Sequence, residues 1–206
     1  MLPEDNTPIK TDDIIETQNH FQAFDYMLDI AEEPLTEEII KTFHWYIKHG
    51  TSQEKLSWFR VGDYKTKPNT IGDLVTTTSP EKVHDEMDHL LYVYEMNHKK
   101  TVEDLIDFHY HFEKIHPFQD GNGRVGRLIL FKECLRYNIV PFVIDEAHEL
   151  FYKRGLQEYS KESGYLIDTC LSCQDNYKIA CDTYGILYSD KTIEKQYDIK
   201  EPDIEF

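Results

Sequence analysis

"TVEDLIDFHYHFEKIHPFQDGNGRVGRLILFKECLRYN", Thr101–Asn138, holds two helical patterns and the bend between them. Thr101 stands where an N-cap is needed, and Val102, Leu105, Ile106 and Phe112 fall on one helical face behind it. The first helix must stop near Ile115, because His116 precedes Pro117 and the proline ring pushes the residue before it out of the α region. Past Gly123 the period resumes with Val125, Leu128, Ile129 and Leu135, and Asn138 with Pro141 beyond it marks the end. A helix, a turn and a helix N-terminus thus follow one another.

The same period spreads to both sides. Val83, Met87, Leu90, Leu91 and Tyr94 form one stripe of a helix that Ser79 would cap and Pro80 would open. Further helices are expected over about 11–31, 36–48, 146–160 and 165–184, with an acidic tail over 185–206. Only "WFRVGDYKTKPNTIGDLVTTTSP", Trp58–Pro80, has another rhythm: two glycines and two prolines among β-branched residues predict a loop with a short hairpin. It either joins helices or forms a flap over a site. The expectation is an all-α fold in one domain, 1–206, with core helices over about 80–160.

Fourteen Tyr, eleven Phe and two Trp supply ample apolar area for a core. A net charge of −17 repels polyanions, so no nucleic acid and no anionic membrane is expected as a partner. Locally, Lys114, Arg124, Arg127, Lys132 and Arg136 gather near the bend and suit a small phosphorylated ligand. No apolar run reaches the roughly 20 residues of a membrane span, and the first residues lack the basic and apolar regions of a signal peptide, from which a cytoplasmic location is expected. There Cys134, Cys170, Cys173 and Cys181 are reduced; Cys170, Cys173 and Cys181 lack a fourth zinc ligand and read as plain thiols.

Chemistry concentrates in "HPFQDGNGRVGR", 116–127. The first amides of a helix have no internal partner and carry about half a positive charge, which favours phosphate oxygens. Gly121 and Gly123 flank Asn122 there and let the backbone close on an anion. Arg124 and Arg127, three apart, share a face and suit phosphate; alone they would read as solvated or paired with carboxylates. Asp120 suits Mg²⁺, or is a turn residue. His116 is the group able to be a neutral base near pH 7; the other nine histidines read as structural.

At every specified position, His116 to Arg124 with Arg127 resembles the Fic-domain signature HPFx(D/E)GNGRxxR, and residues 10 to 185 can be laid along the all-helical Fido fold. The resemblance implies a protein adenylyltransferase using ATP and Mg²⁺. His116 would activate a Tyr, Ser or Thr hydroxyl of a target protein, this chain included, and Asp120 would hold Mg²⁺. Gly121, Asn122 and Gly123 would form the anion hole, and Arg124 and Arg127 would bind the β- and γ-phosphates. Phosphate-transferring Doc toxins carry Lys in place of the second glycine, so Gly123 favours nucleotidyl transfer. Many relatives carry an inhibitory (S/T)xxxE(G/N) helix whose glutamate pairs with the second arginine; "TDDIIETQNHF" offers Glu16 as partner of Arg127, with Asp12 and Thr17 departing from the pattern. The alternatives are a solvated Glu16, a hydrolase that removes AMP, a transferase of another nucleotide or phosphate moiety, and a catalytically silent binding domain. Target and self-association stay open.

Overall fold

The computed structural model describes residues 9–71 and 75–188. Seven helices carry the fold: α1 (Thr11–Asp29), α2 (Glu37–Lys48), α3 (Pro80–Met96), α4 (Val102–Ile115), α5 (Asn122–Arg136), α6 (Glu149–Glu158) and α7 (Gly164–Tyr184). A 3₁₀ turn, Ser52–Lys55, and an antiparallel hairpin of β1 (Thr70–Ile71) and β2 (Val75–Thr76) complete the described elements. The fold is all-α, with the hairpin in the segment whose rhythm differs. The hairpin tip and the acidic residues from 189 onward lie outside the described residues.

Local chemistry accounts for most boundaries. Thr101 and Asp104 form a reciprocal capping box on α4, the Thr101 amide donating to Asp104 Oδ2 at 2.8 Å. Ser79 holds the N-cap position of α3 with Pro80 at the first helical one, yet its side chain makes no cap bond. α5 closes on Asn138 in a left-handed conformation (φ 53°), with the Ile139 amide returning to Cys134 O at 2.8 Å. α6 starts later than its pattern suggests, because Asp145 Oδ1 accepts from the His148 amide at 3.0 Å and holds 145–148 in a turn.

The chain divides into two compact units that part between Glu133 and Cys134. In the first, α1 packs on α2 and α3 on α4. Ala23, Met27, Ile40, Phe43, Ile47, Val83, Met87, Ile106, Phe112 and Phe118 are wholly buried and form its core. Asp12 and Asn19 pin α1: the Ser52 amide donates to Asp12 Oδ1 at 3.0 Å, and Asn19 Nδ2 donates to the His49 carbonyl at 2.8 Å. From Val125 to Phe131 every residue but Arg127 is buried, so α5 is enclosed rather than amphipathic. In the second unit α6 packs on α7 so closely that a Cβ on Gly155 would meet Leu166 Cα at 2.7 Å. All four cysteines are free and buried. No described helix is long and apolar enough to cross a membrane.

Candidate functional site

His116 does leave the α region, but into the left-handed one (φ 53°, ψ 60°) rather than the extended one. For a non-glycine that costs on the order of 1 kcal/mol, so neighbours must hold it. Its amide still donates to Phe112 O at 2.9 Å, closing α4, and its carbonyl accepts from Lys65 Nζ at 2.8 Å. The Lys65 amide donates to Pro117 O at 2.9 Å. Phe118 is wholly buried and stacks on the His44 ring at 4.0 Å. Asn122 completes the turn: its Oδ1 accepts from the Phe118 amide at 2.8 Å, and its Nδ2 donates to Phe118 O at 2.9 Å.

The imidazole Nδ1 of His116 lies 3.9 Å from Glu113 Oε2. Burial first, then the Lys65 ammonium, pull the ring's pKa down to about 4, against weaker opposition from Glu113 and Asp120. The ring is therefore neutral at pH 7. Behind it, burial pushes the Glu113 carboxyl up to about 7, with Arg127 opposing.

At the opening of α5, Gly121 takes φ 82°, which only glycine adopts readily, and its carbonyl accepts from the Arg124 and Val125 amides, both at 3.1 Å. The amides of Asn122 and Gly123 lie ahead of these first intrahelical bonds, where an anion is favoured. The Gly121 amide is already taken by Asp120 Oδ1 at 2.7 Å. The Arg127 guanidinium folds back over this turn: a Cβ on Gly123 would lie 3.2 Å from Arg127 Nη1. Arg127 is exposed, and among the described residues it has no hydrogen-bond or ion-pair partner.

Glu16 is where the structure departs most from expectation. Its partner is Arg124, not Arg127: Oε2 accepts from Arg124 Nη1 at 2.7 Å, while Oε1 accepts from Lys48 Nζ. The ties of Asp12 and Asn19 fix α1 so that Glu16 meets the first turn of α5. Burial works against ionising Glu16, but Lys48 and Arg124 outweigh it and hold the carboxyl below its usual range. The Asn122 side chain is spent on the turn, and its backbone amide remains for an anion. One further reading changes. Lys132, counted among the local cations, is wholly buried, donating to Glu133 Oε1 at 2.8 Å and to the Glu33 carbonyl.

The Fic/DOC family profile matches residues 34–133, which include the whole turn and the first twelve residues of α5. Residues 34–133 are a Fic domain. A Fic domain signaling protein from Bacteroides thetaiotaomicron superposes with a TM-score of 0.72 at 23% identity, covering 90% of this chain and 78% of that one. Fic-1 (aa134–508) from C. elegans gives 0.70 at 17% identity, covering 86% and 55%. Both are likenesses of fold. The Aedes aegypti protein named "Protein adenylyltransferase Fic" is 41% identical over 49 residues, 24% of this chain. The matched stretch spans only 10% of that relative's length.

Two lysines of this Fic domain site went unseen in the sequence. Lys48 follows Ile40, His44 and Ile47 at i+8, in phase with the buried stripe of α2, and that phase was the available signal. Lys65, in the loop before β1, donates to Asn69 Oδ1, Thr77 Oγ1 and the His116 carbonyl, each at 2.8 Å, so it fastens the hairpin's base to the turn. Burial draws its pKa down to about 8. Asn69 adds a bond from Nδ2 to Phe118 O at 2.9 Å.

Asp120 fits a divalent cation. Burial opposes its ionisation, but Lys48, the Gly121 amide and Arg124 outweigh it and keep the carboxyl below its usual range. It is a hard, ionised, half-exposed oxygen donor beside a helix N-terminus, and Mg²⁺ is commonly held by one carboxylate together with phosphate oxygens.

Proposed function

We propose that this chain is a protein adenylyltransferase that moves AMP from ATP to a Tyr, Ser or Thr hydroxyl of a target protein. The observation that carries the reading is a neutral, strained His116 held directly ahead of an α5 N-terminus that still has two amides to offer. The curated relatives' name, adenylyltransferase, agrees with it.

In this reading the Asn122 and Gly123 amides and the helix dipole take phosphate oxygens of the nucleotide, with Arg127 and Arg124 on the outer phosphates. Asp120 holds Mg²⁺, which neutralises phosphate charge. His116 accepts the proton of the target hydroxyl as that oxygen bonds to the α-phosphorus, and the bond to the β-phosphate oxygen breaks to release pyrophosphate. The ring has to be neutral to accept the proton, and its depressed pKa keeps it so. Lys65 and Asn69 hold the hairpin beside His116, which suits it to align the incoming chain.

The test is incubation with Mg²⁺ and ATP labelled at the α-phosphate. Protein-bound label in wild type and none in H116A is expected. In a parallel incubation with ATP labelled at the γ-phosphate, label on the protein there and not from the α-phosphate would make it a kinase-like enzyme, and α-label leaving premodified protein would make it a hydrolase.

A further inference from the structure

Lys48 is the last residue of α2 and is completely buried. A buried ammonium is tolerated only when paired, and this one has two carboxylates: Glu16 Oε1 and, at 2.7 Å, Asp120 Oδ2. Glu16 Oε2 continues to Arg124. Four side chains from three stretches of chain thus alternate in sign, Asp120–Lys48–Glu16–Arg124, and run from the metal carboxylate to a phosphate arginine.

We propose that this chain of charges is a relay that couples metal binding at Asp120 to phosphate binding at Arg124, with Lys48 as its internal counter-cation. The inference rests on the roles given above to those two residues. A divalent cation on Asp120 displaces Lys48, whose ammonium then concentrates on Glu16. Glu16 in turn loosens from Arg124, and the guanidinium is released for phosphate. When both ligands are bound, Lys48 and Glu16 keep each other, and no buried charge is stranded. The site therefore takes the metal–nucleotide complex in preference to free nucleotide, and Lys48 and Glu16 act as positioning residues through their partners.

The relay fixes opposite signs for its two middle members. Binding is measured without turnover, with Mn²⁺ alone followed by the spin resonance of the free ion, and with ATP in EDTA followed calorimetrically. K48M removes the competitor on Asp120 and leaves Glu16 with Arg124 alone. It should bind Mn²⁺ about tenfold more tightly, the effect of a neighbouring unit charge after water screens the half-exposed Asp120, and bind metal-free ATP more weakly. E16Q does the reverse: metal-free ATP binds more tightly and Mn²⁺ more weakly, because Lys48 turns wholly to Asp120. Shifts of one sign in both variants, or none, overturn the relay. Should K48M not fold, E16Q decides alone, as the Glu16 side chain is 23% exposed and tolerates the change. Opposite signs without transfer of AMP would leave the relay standing and remove the enzymatic reading; labelling that depends on His116 without them would do the converse.

Discussion

Asn122→Ala tests the turn on which the site is built. The side chain makes two bonds to one residue, 2.8 Å from the Phe118 amide and 2.9 Å to its carbonyl, in a place that is 1% exposed. The two losses differ. Phe118 O keeps the Asn69 Nδ2 donor at 2.9 Å, so losing Asn122 Nδ2 removes one net hydrogen bond, about 1 kcal/mol. The Phe118 amide has no such reserve; stranded where water cannot reach, it costs about 1–3 kcal/mol more. A loss of about 3 kcal/mol is expected, which for a chain of this size lowers the melting temperature by roughly 6–12 °C. Urea unfolding followed by circular dichroism measures it directly. Adding N69A should cost more in N122A than in wild type, because the carbonyl then loses its last donor. A change below about 0.5 kcal/mol in N122A would refute the claim that this side chain holds the bend.

Glu113 gives a pH-dependent counterpart. Its carboxyl, ordinarily near 4.5, is pushed up to about 7, so between those values the folded state binds the extra proton and loses stability as pH rises. E113Q does not titrate; relative to wild type its stability should climb between pH 5 and pH 8 by on the order of 2–3 kcal/mol, and a flat difference in melting temperature contradicts the assignment. K65M removes the cation that ranks second in depressing His116 and cuts three bonds that hold the hairpin base. The acid limb of the proposed AMP transfer, expected near pH 4 in wild type, should move upward, and proteolysis between 66 and 79 should speed up; an unmoved limb would show that burial alone sets the imidazole's basicity.

Helix content was legible because each unit of the fold repeats apolar residues at 3.6 and punctuates them with Thr101, Pro80, Asn138 and Pro141, all acting within a few residues. The bend was legible for the same reason, since a proline constrains its neighbour and glycine frees its own backbone. Phe118 is the one large aromatic in the bend, and it is wholly buried. The left-handed turn at His116 was not legible: Pro117 forbids the α region but leaves more than one exit, and the choice is made by Lys65 and Phe118, one of them far away in sequence.

Charge pairing divides along the same line. Which residues are acidic or basic, and that a glycine-flanked helix start favours an anion, is written in the order of residues. Which acid meets which base depends on where α1 and α2 lie against α5. There the choice of Arg124 over Arg127 for Glu16, the burial of Lys48 between two carboxylates and the diversion of Lys132 into the core were all decided. Local sequence sets backbone preference over a turn or two, whereas an ion pair between residues 108 positions apart exists only after packing has brought their helices together and excluded the water that would otherwise separate them.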